Sequence, residues 1–414
     1  MKGKKIVSTL LALLLLASLP VSAHAAVWDI GKGDITISAG SGGQTVTQGG
    51  GAAVNDSAPV ITGSSTDNTL TINAEKDQTA SVTLSGANID VSGKGKAAVS
   101  TTGEGNVSIE LDGENTLKSA TNHAGLEKNN GGSLTIADED KNGKLTAEGG
   151  IYGAGIGGGY EGEGSNIAIT GGEVEATGGI GGAGIGGGKN GAGSSIAITG
   201  GEVKATGGKY GAGVGGGLSG NGNHITITGG EVKATGGLNG AGIGGGLWGK
   251  GKDITISGDA QLKVQGGVGD YFDGPGAGIG DGGSRPKEST GGNPIPGAEV
   301  EPDTSGLTTN GSIEYYAPGA DMEKDKPEKT TVGTLPPQEK PVEPIEPAEP
   351  EQPEAERGMD APLYRVTDRD GRNIAYTAEQ KGGVLTVTAD EDLAILTGRL
   401  SGIRTLKAQG VEKI

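Results

Sequence analysis

The chain has 414 residues, a formal net charge of -18, 87 glycines, a single phenylalanine and no cysteine. Charge of that sign disfavours nucleic acid and anionic lipid as partners, and without cysteine there are no disulfides and no lipid on an N-terminal cysteine. Aromatic residues make up 3% of the chain, too few for a core built on large rings, and glycine at this density points to internal repeats.

Residues 1–25 have the form of a secretory signal peptide. Lys2, Lys4 and Lys5 give a positive start, Leu10 to Leu16 a short apolar core, and Ala23-His24-Ala25 a small-x-small site before a cut ahead of Ala26. Loss of those three lysines takes the net charge from -18 to -21. The mature chain is expected outside the cell or on its surface, with no membrane insertion.

Short alternating strings follow. Ile35-Thr-Ile37 and Leu70-Thr-Ile72 are expected as first coils or a cap. Val82-Thr-Leu84 goes with Ile89-Asp-Val91, Val107-Ser-Ile109-Glu-Leu111 with Ala124-Gly-Leu126, and Leu134-Thr-Ile136 with Leu145-Thr-Ala147. The pattern then becomes strict. The string AG(I/V)GGG recurs every 29 residues, at Ala154, Ala183, Ala212 and Ala241, and Ile167, Ile196, Ile225 and Ile254 open a second string at the same step. GGEV(E/K)ATGG starts at Gly171, Gly200 and Gly229.

In Ile225-Thr-Ile-Thr228 both isoleucines take one face, and in Glu231-Val-Lys-Ala-Thr235 Val232 and Ala234 do so. One unit cannot close a core, but stacked copies can, each string pairing in parallel with the next about 4.8 Å away. The sequence predicts an all-β parallel β-helix over residues 26–281, with 29-residue coils and three sheets per coil. Ala277 closes the array after a step of 36 residues from Ala241.

Residues 282–358 are rich in Pro, Glu, Gly and Thr, and Pro336 to Pro353 alternates proline with acid. The expectation is a disordered, extended spacer, with Tyr315 and Tyr316 open to a short strand on the solenoid end. Residues 359–414 read as a small β-rich module. Asp368-Arg-Asp-Gly371 is expected as a hairpin turn between Tyr364-Arg-Val366 and Asn373 to Tyr376, and Val384 to Val387 as a further strand. No closing element precedes Ile414, as in a truncated module.

Two features could carry chemistry. Glu173, Glu202 and Glu231 sit one coil apart, where carboxylates repel by about 1 kcal/mol per pair in water. Lys204 and Lys233 can offset this in a mixed ladder; alternatively the column captures Ca²⁺ weakly through its oxygens. Tyr152, Tyr160, Tyr210 and Trp248 all flank the AG(I/V)GGG strings and so lie near one edge, with Tyr271 and Phe272 near the last coil. These rings either cover glycine turns or stack on sugars.

Catalysis is not supported. His123 and His224 are the only histidines after the signal segment, and both read as turn residues. The acids repeat in columns, whereas an active site needs a singular constellation. The many glycine strings lack the following helix that a nucleotide site requires.

The order of motifs from Val82 to Gly172 resembles the secreted carbohydrate-binding-domain family of clostridia and their relatives. The matching pieces are Leu84-Ser-Gly-Ala-Asn-Ile89, Asn115-Thr-Leu117, Leu134-Thr-Ile136, Lys144-Leu-Thr-Ala147 and Ile167-Ala-Ile-Thr-Gly-Gly172. The similarity spans roughly residues 60–280. It implies a right-handed β-helix that binds plant-type or acidic polysaccharide, in some members with calcium. Where such members carry Asp at a coil corner, this chain has Ala154, Ala183, Ala212 and Ala241, which speaks against calcium there. The expected function is therefore non-catalytic binding of polysaccharide. A structural stalk or adhesin segment with a protein partner is the alternative, and a polysaccharide lyase the third.

Overall fold

The computed structural model describes residues 26–286 and 293–335, and the backbone of four strands beyond residue 363. Residues 1–25 and the Pro/Glu run from Pro336 to Pro353 lie outside the described residues. Contacts divide the chain into two units, Met1–Gln338 and Glu339–Ile414.

The first unit is a right-handed parallel β-solenoid. Its register follows the period of the sequence. Leu134, Ile167, Ile196, Ile225 and Ile254 pair in one row, and Leu145, Val174, Val203, Val232 and Leu262 in another. Ile156, Ile185, Val214, Ile243 and Ile279 form a third. All are buried, none more than 3% exposed. Each such side chain contributes about 1.5–3 kcal/mol by leaving water, which is how a core with almost no aromatic rings holds together.

The expected three separate sheets are two. In the early coils single long strands, Thr79–Asp90 and Asn106–Lys118, run through two faces. They bend at Gly86 and Gly113, whose φ values of 68° and 62° favour glycine. The strand Asn106–Lys118 therefore joins both faces into one 16-stranded sheet, and an 11-stranded sheet forms the third face. In later coils the turn before Glu173, Glu202 or Glu231 splits what was one strand in two.

The N-terminal strings are first coils and a cap together. Ile35–Gly40 pairs in parallel with Leu70–Ala74, then turns back antiparallel against Gly43–Gln48. At the other end the structure corrects the spacer boundary. Ser312–Tyr316 adds in parallel to Gln261–Gln265, and Lys329–Val332 closes antiparallel on it. Ile313 and Leu307 are buried in the core, and Gln265 Nε2 donates to the carbonyls of Ala317 and Ala320. A parallel stack must shield its last open edge, and residues 295–335 do so, despite their proline and glycine.

In the second unit, Tyr376–Lys381 and Val384–Ala389 form an antiparallel hairpin, and Tyr364–Thr367 pairs with Ile395–Gly398. The expected turn at Asp368-Arg-Asp-Gly371 lies outside the described residues. The two-residue connection is Gly382-Gly383, a sequence suited to tight hairpins.

Candidate functional site

At one corner of the solenoid, glycine lets successive backbones touch. A Cβ on Gly182 would meet the carbonyl oxygen of Gly153 at 1.9 Å, and one on Gly211 that of Gly182 at 1.9 Å. Side chains are excluded from that column and appear on its two flanks. The backbone N–H of Tyr160 donates to the Asn122 carbonyl (2.8 Å), that of Lys189 to Tyr152 (2.8 Å), that of Leu218 to Gly181 (2.7 Å) and that of Leu247 to Tyr210 (2.9 Å). The two flanks are thus stitched together coil by coil, and Tyr152, Tyr160, Tyr210 and Trp248 share one corner, as the sequence indicates.

They do not make a single platform. The Tyr152 and Tyr160 rings lie 5.6 Å apart at 46°, with Lys189 Nζ 4.3 Å from the centre of Tyr152 and 5.7 Å from that of Tyr160. Gly181 makes this possible, because a Cβ there would meet Lys189 Cβ at 2.8 Å. Glu161 accepts a hydrogen bond from the Tyr160 hydroxyl and so raises its pKa. Tyr210 stands with Lys209, whose ammonium is 5.0 Å from its ring. Beside these rings Ile151, Ile180 and Val268 are all more than 40% exposed, with Lys209 and the half-buried Leu238 at the same place in the two coils between Ile180 and Val268; the sequence reading did not single them out.

Trp248 belongs to the most elaborate part. It occupies a left-handed position, φ 66°, where the preceding coils carry Asn190 and Ser219. A bulky residue there is strained, and such strain concentrates at functional sites. Two residues separate Gly237 from Gly240, but the whole loop 268–275 separates Gly267 from Gly276. This insertion accounts for most of the longer final step. Buried Asn239 fastens it through Nδ2 to the carbonyls of Asp273 and Gly274, both at 2.8 Å. The Asp273 carboxylate is buried and accepts from Trp248 Nε1 (3.0 Å) and from Arg285 Nε (3.2 Å) and Nη2 (3.0 Å). The guanidinium stands 5.2 Å from the Trp248 ring and 5.9 Å from Phe272. Phe272 meets Tyr271 edge to face at 5.1 Å, and these two rings are 62% and 87% exposed. The irregular step marked the place, but nothing in the sequence paired Asp273 with Trp248 and Arg285.

The coil at Ala124 departs differently. Glu127 pairs with Gly157, the start of a glycine row that continues through Gly186, Gly215 and Gly244. Its buried carboxylate accepts from the Ala124 N–H (3.0 Å), from His123 Nδ1 (2.9 Å) and from Asn129 Nδ2 (2.9 Å). Lys128 is 5% exposed and donates to the Asn130 carbonyl at 2.7 Å. Burial pushes its pKa down to about 8. His224, by contrast, shares a left-handed row with Ser195 and Asp253; it lies within the strand Gly222–Ile227, skipped by the pairing between Asn223 and Ile225, and not in a turn as expected.

The glutamate column stands as drawn, with Glu173, Glu202 and Glu231 in register and exposed. It does not fit a metal. Lys144 pairs with Glu173, and in the adjacent row Lys204 pairs with Glu175. Lys233 and Lys263 both reach Glu323 of the C-terminal cap (2.8 and 3.3 Å), which lowers the carboxyl pKa. Among the described residues no three acidic, histidine or cysteine side chains converge as a metal would need. Calcium asks for six or more oxygens, and Lys144 already answers Glu173. The mixed ladder is found in part, as Lys144–Glu173 and Lys204–Glu175, and Glu173, Glu202 and Glu231 do not converge into a cation site among the described residues.

No curated protein and no solved structure matches the chain. A family model described as a beta helix repeat matches residues 141–160, 167–189, 196–218 and 225–247. Those four stretches lie in the strict coils and include Tyr152, Tyr160 and Tyr210 but end just before Trp248, so the chain carries the beta helix repeat in that part.

Proposed function

We propose that this protein is a secreted, non-catalytic module whose aromatic corner binds polysaccharide, with acidic polysaccharide the best fit. One observation carries the reading: each aromatic group at the corner is accompanied by a cation, in a chain of net charge -18. Lys189 serves Tyr152 and Tyr160, Lys209 serves Tyr210, and Arg285 serves Trp248 and Phe272. A sugar ring offers C–H faces to an aromatic ring, and a uronate carboxylate beside it offers charge to a guanidinium or ammonium. The resemblance to carbohydrate-binding domains points the same way.

The test is retention of the full secreted chain on polygalacturonate, alginate and xylan. Wild type is expected to bind polygalacturonate or alginate more tightly than xylan. The double variant Trp248→Ala, Tyr210→Ala is expected to lose about tenfold or more in affinity. Undiminished retention by that variant would remove the corner from the account. Exposed Ile151, Ile180 and Val268 on that edge favour a second reading, a protein partner laid along it. Failure to bind any of the three glycans would support that reading instead.

A further inference from the structure

We infer that His123 is a ligand contact at the N-terminal end of the aromatic corner, where its Nε2 accepts a hydrogen bond from a sugar hydroxyl. The inference rests on the polysaccharide reading and adds a polar subsite to it.

His123 is the one side chain in a column otherwise made of Gly153, Gly182, Gly211 and Gly240. Glu127, its partner, stands where a second row passes from Ser100 of the preceding coil to Gly157, Gly186 and the glycines that follow. Both departures fall in the same coil, and the two residues bond to each other at 2.9 Å. Corner closure accounts for Glu127 alone. In later coils the N–H of Ala154, Ala183, Ala212 and Ala241 donates to a glycine carbonyl, and in this coil the Ala124 N–H donates to Glu127 Oε2 instead. That substitution needs no imidazole, so His123 is not explained by the needs of the fold.

The hydrogen bonds set the chemistry of the ring. Glu127 accepts from three nitrogens, which is the behaviour of a carboxylate. Nδ1 of His123 then donates to Glu127, and in that tautomer Nε2 carries the ring's lone pair and is an acceptor. Among the described residues Nε2 has no hydrogen-bond partner, and the side chain is 32% exposed. Tyr160 is its neighbour through the bond from the Tyr160 N–H to the Asn122 carbonyl. A fixed acceptor beside an aromatic ring suits a hydroxyl-bearing ligand. Glu127 acts through His123 and is a positioning residue.

The experiment measures affinity of the full chain for whichever of polygalacturonate, alginate and xylan it retains best. His123→Ala should weaken binding about fivefold to tenfold while leaving the melting temperature within a degree or two. In ¹⁵N-histidine spectra of wild type, His123 should be the Nδ1–H tautomer, and its Nε2 resonance should move on adding the polysaccharide while that of His224 stays. This second readout does not depend on a variant folding. Binding that is sensitive to Trp248→Ala but indifferent to His123→Ala, or an Nε2 resonance that does not respond, would overturn the inference and spare the corner. Absence of binding to all three glycans would remove both.

Discussion

The coils from Ala154 to Gly246 and the coil at Ala124 are neighbours in one stack, yet they obey different rules. In the first group nearly every residue is dictated by space. Columns of Ala and Ile fill the middle, and glycine stands wherever one backbone meets the next. In the Ala124 coil the corresponding glycine places hold His123 and Glu127, and a lysine is buried beside them. At the far end the loop 268–275 breaks the period again and erects Tyr271, Phe272 and Asp273 against Trp248. Regularity supplies a rigid edge, and the residues not explained by packing collect where that regularity is interrupted.

The comparison breaks most readily at a glycine. Gly211→Val places a Cβ where the Gly182 carbonyl oxygen lies at 1.9 Å. Backbone cannot yield as a flexible side chain would, so a loss of about 3 kcal/mol or more is expected in denaturant unfolding. The His123→Ala change, in the same column one level beyond the glycines, should be nearly silent in that assay. Equal effects would mean that the column is not packed as described.

Lys128 sharpens the comparison from the other side. Its pKa falls to about 8 in the folded chain, against roughly 10.4 when unfolded. Between those values the unfolded chain holds the proton that the folded chain releases. Lys128 therefore costs stability below about pH 8, and the cost fades as pH rises towards 10. Lys128→Met should raise stability at pH 7 by about 2 kcal/mol, seen as a melting point several degrees higher. It should also flatten the rise in stability between pH 8 and 10. A lower melting point would show that the ammonium is better satisfied than its single bond to Asn130 suggests.

Much of this was legible in the sequence, for a physical reason. A parallel stack repeats its contacts at a fixed step, so the 29-residue period contained the register: Ile167, Ile196 and Ile225 align because their spacing leaves no other choice. The aromatic corner was legible for the same reason. Of the C-terminal cap only the strand at Tyr315 and Tyr316 was legible, because composition speaks for the whole of 282–358, whereas capping rests on a few residues such as Leu307 and Ile313. The bonds from Trp248 and Arg285 to Asp273, and from His123 to Glu127, arise in coils that leave the period. No repeat there reports which side chains meet.

The stacking itself is tested most directly by cross-linking, since the natural chain has no cysteine. Glu173 and Glu202 are in register on adjacent strands, whose backbones are about 4.8 Å apart. A Glu173→Cys, Glu202→Cys chain should be bridged rapidly and nearly completely by a short thiol-specific reagent. A Glu173→Cys, Lys204→Cys chain, displaced by two residues, should react far more slowly. Equal rates in the two chains, or faster bridging in the second, would contradict a stack built on a 29-residue coil.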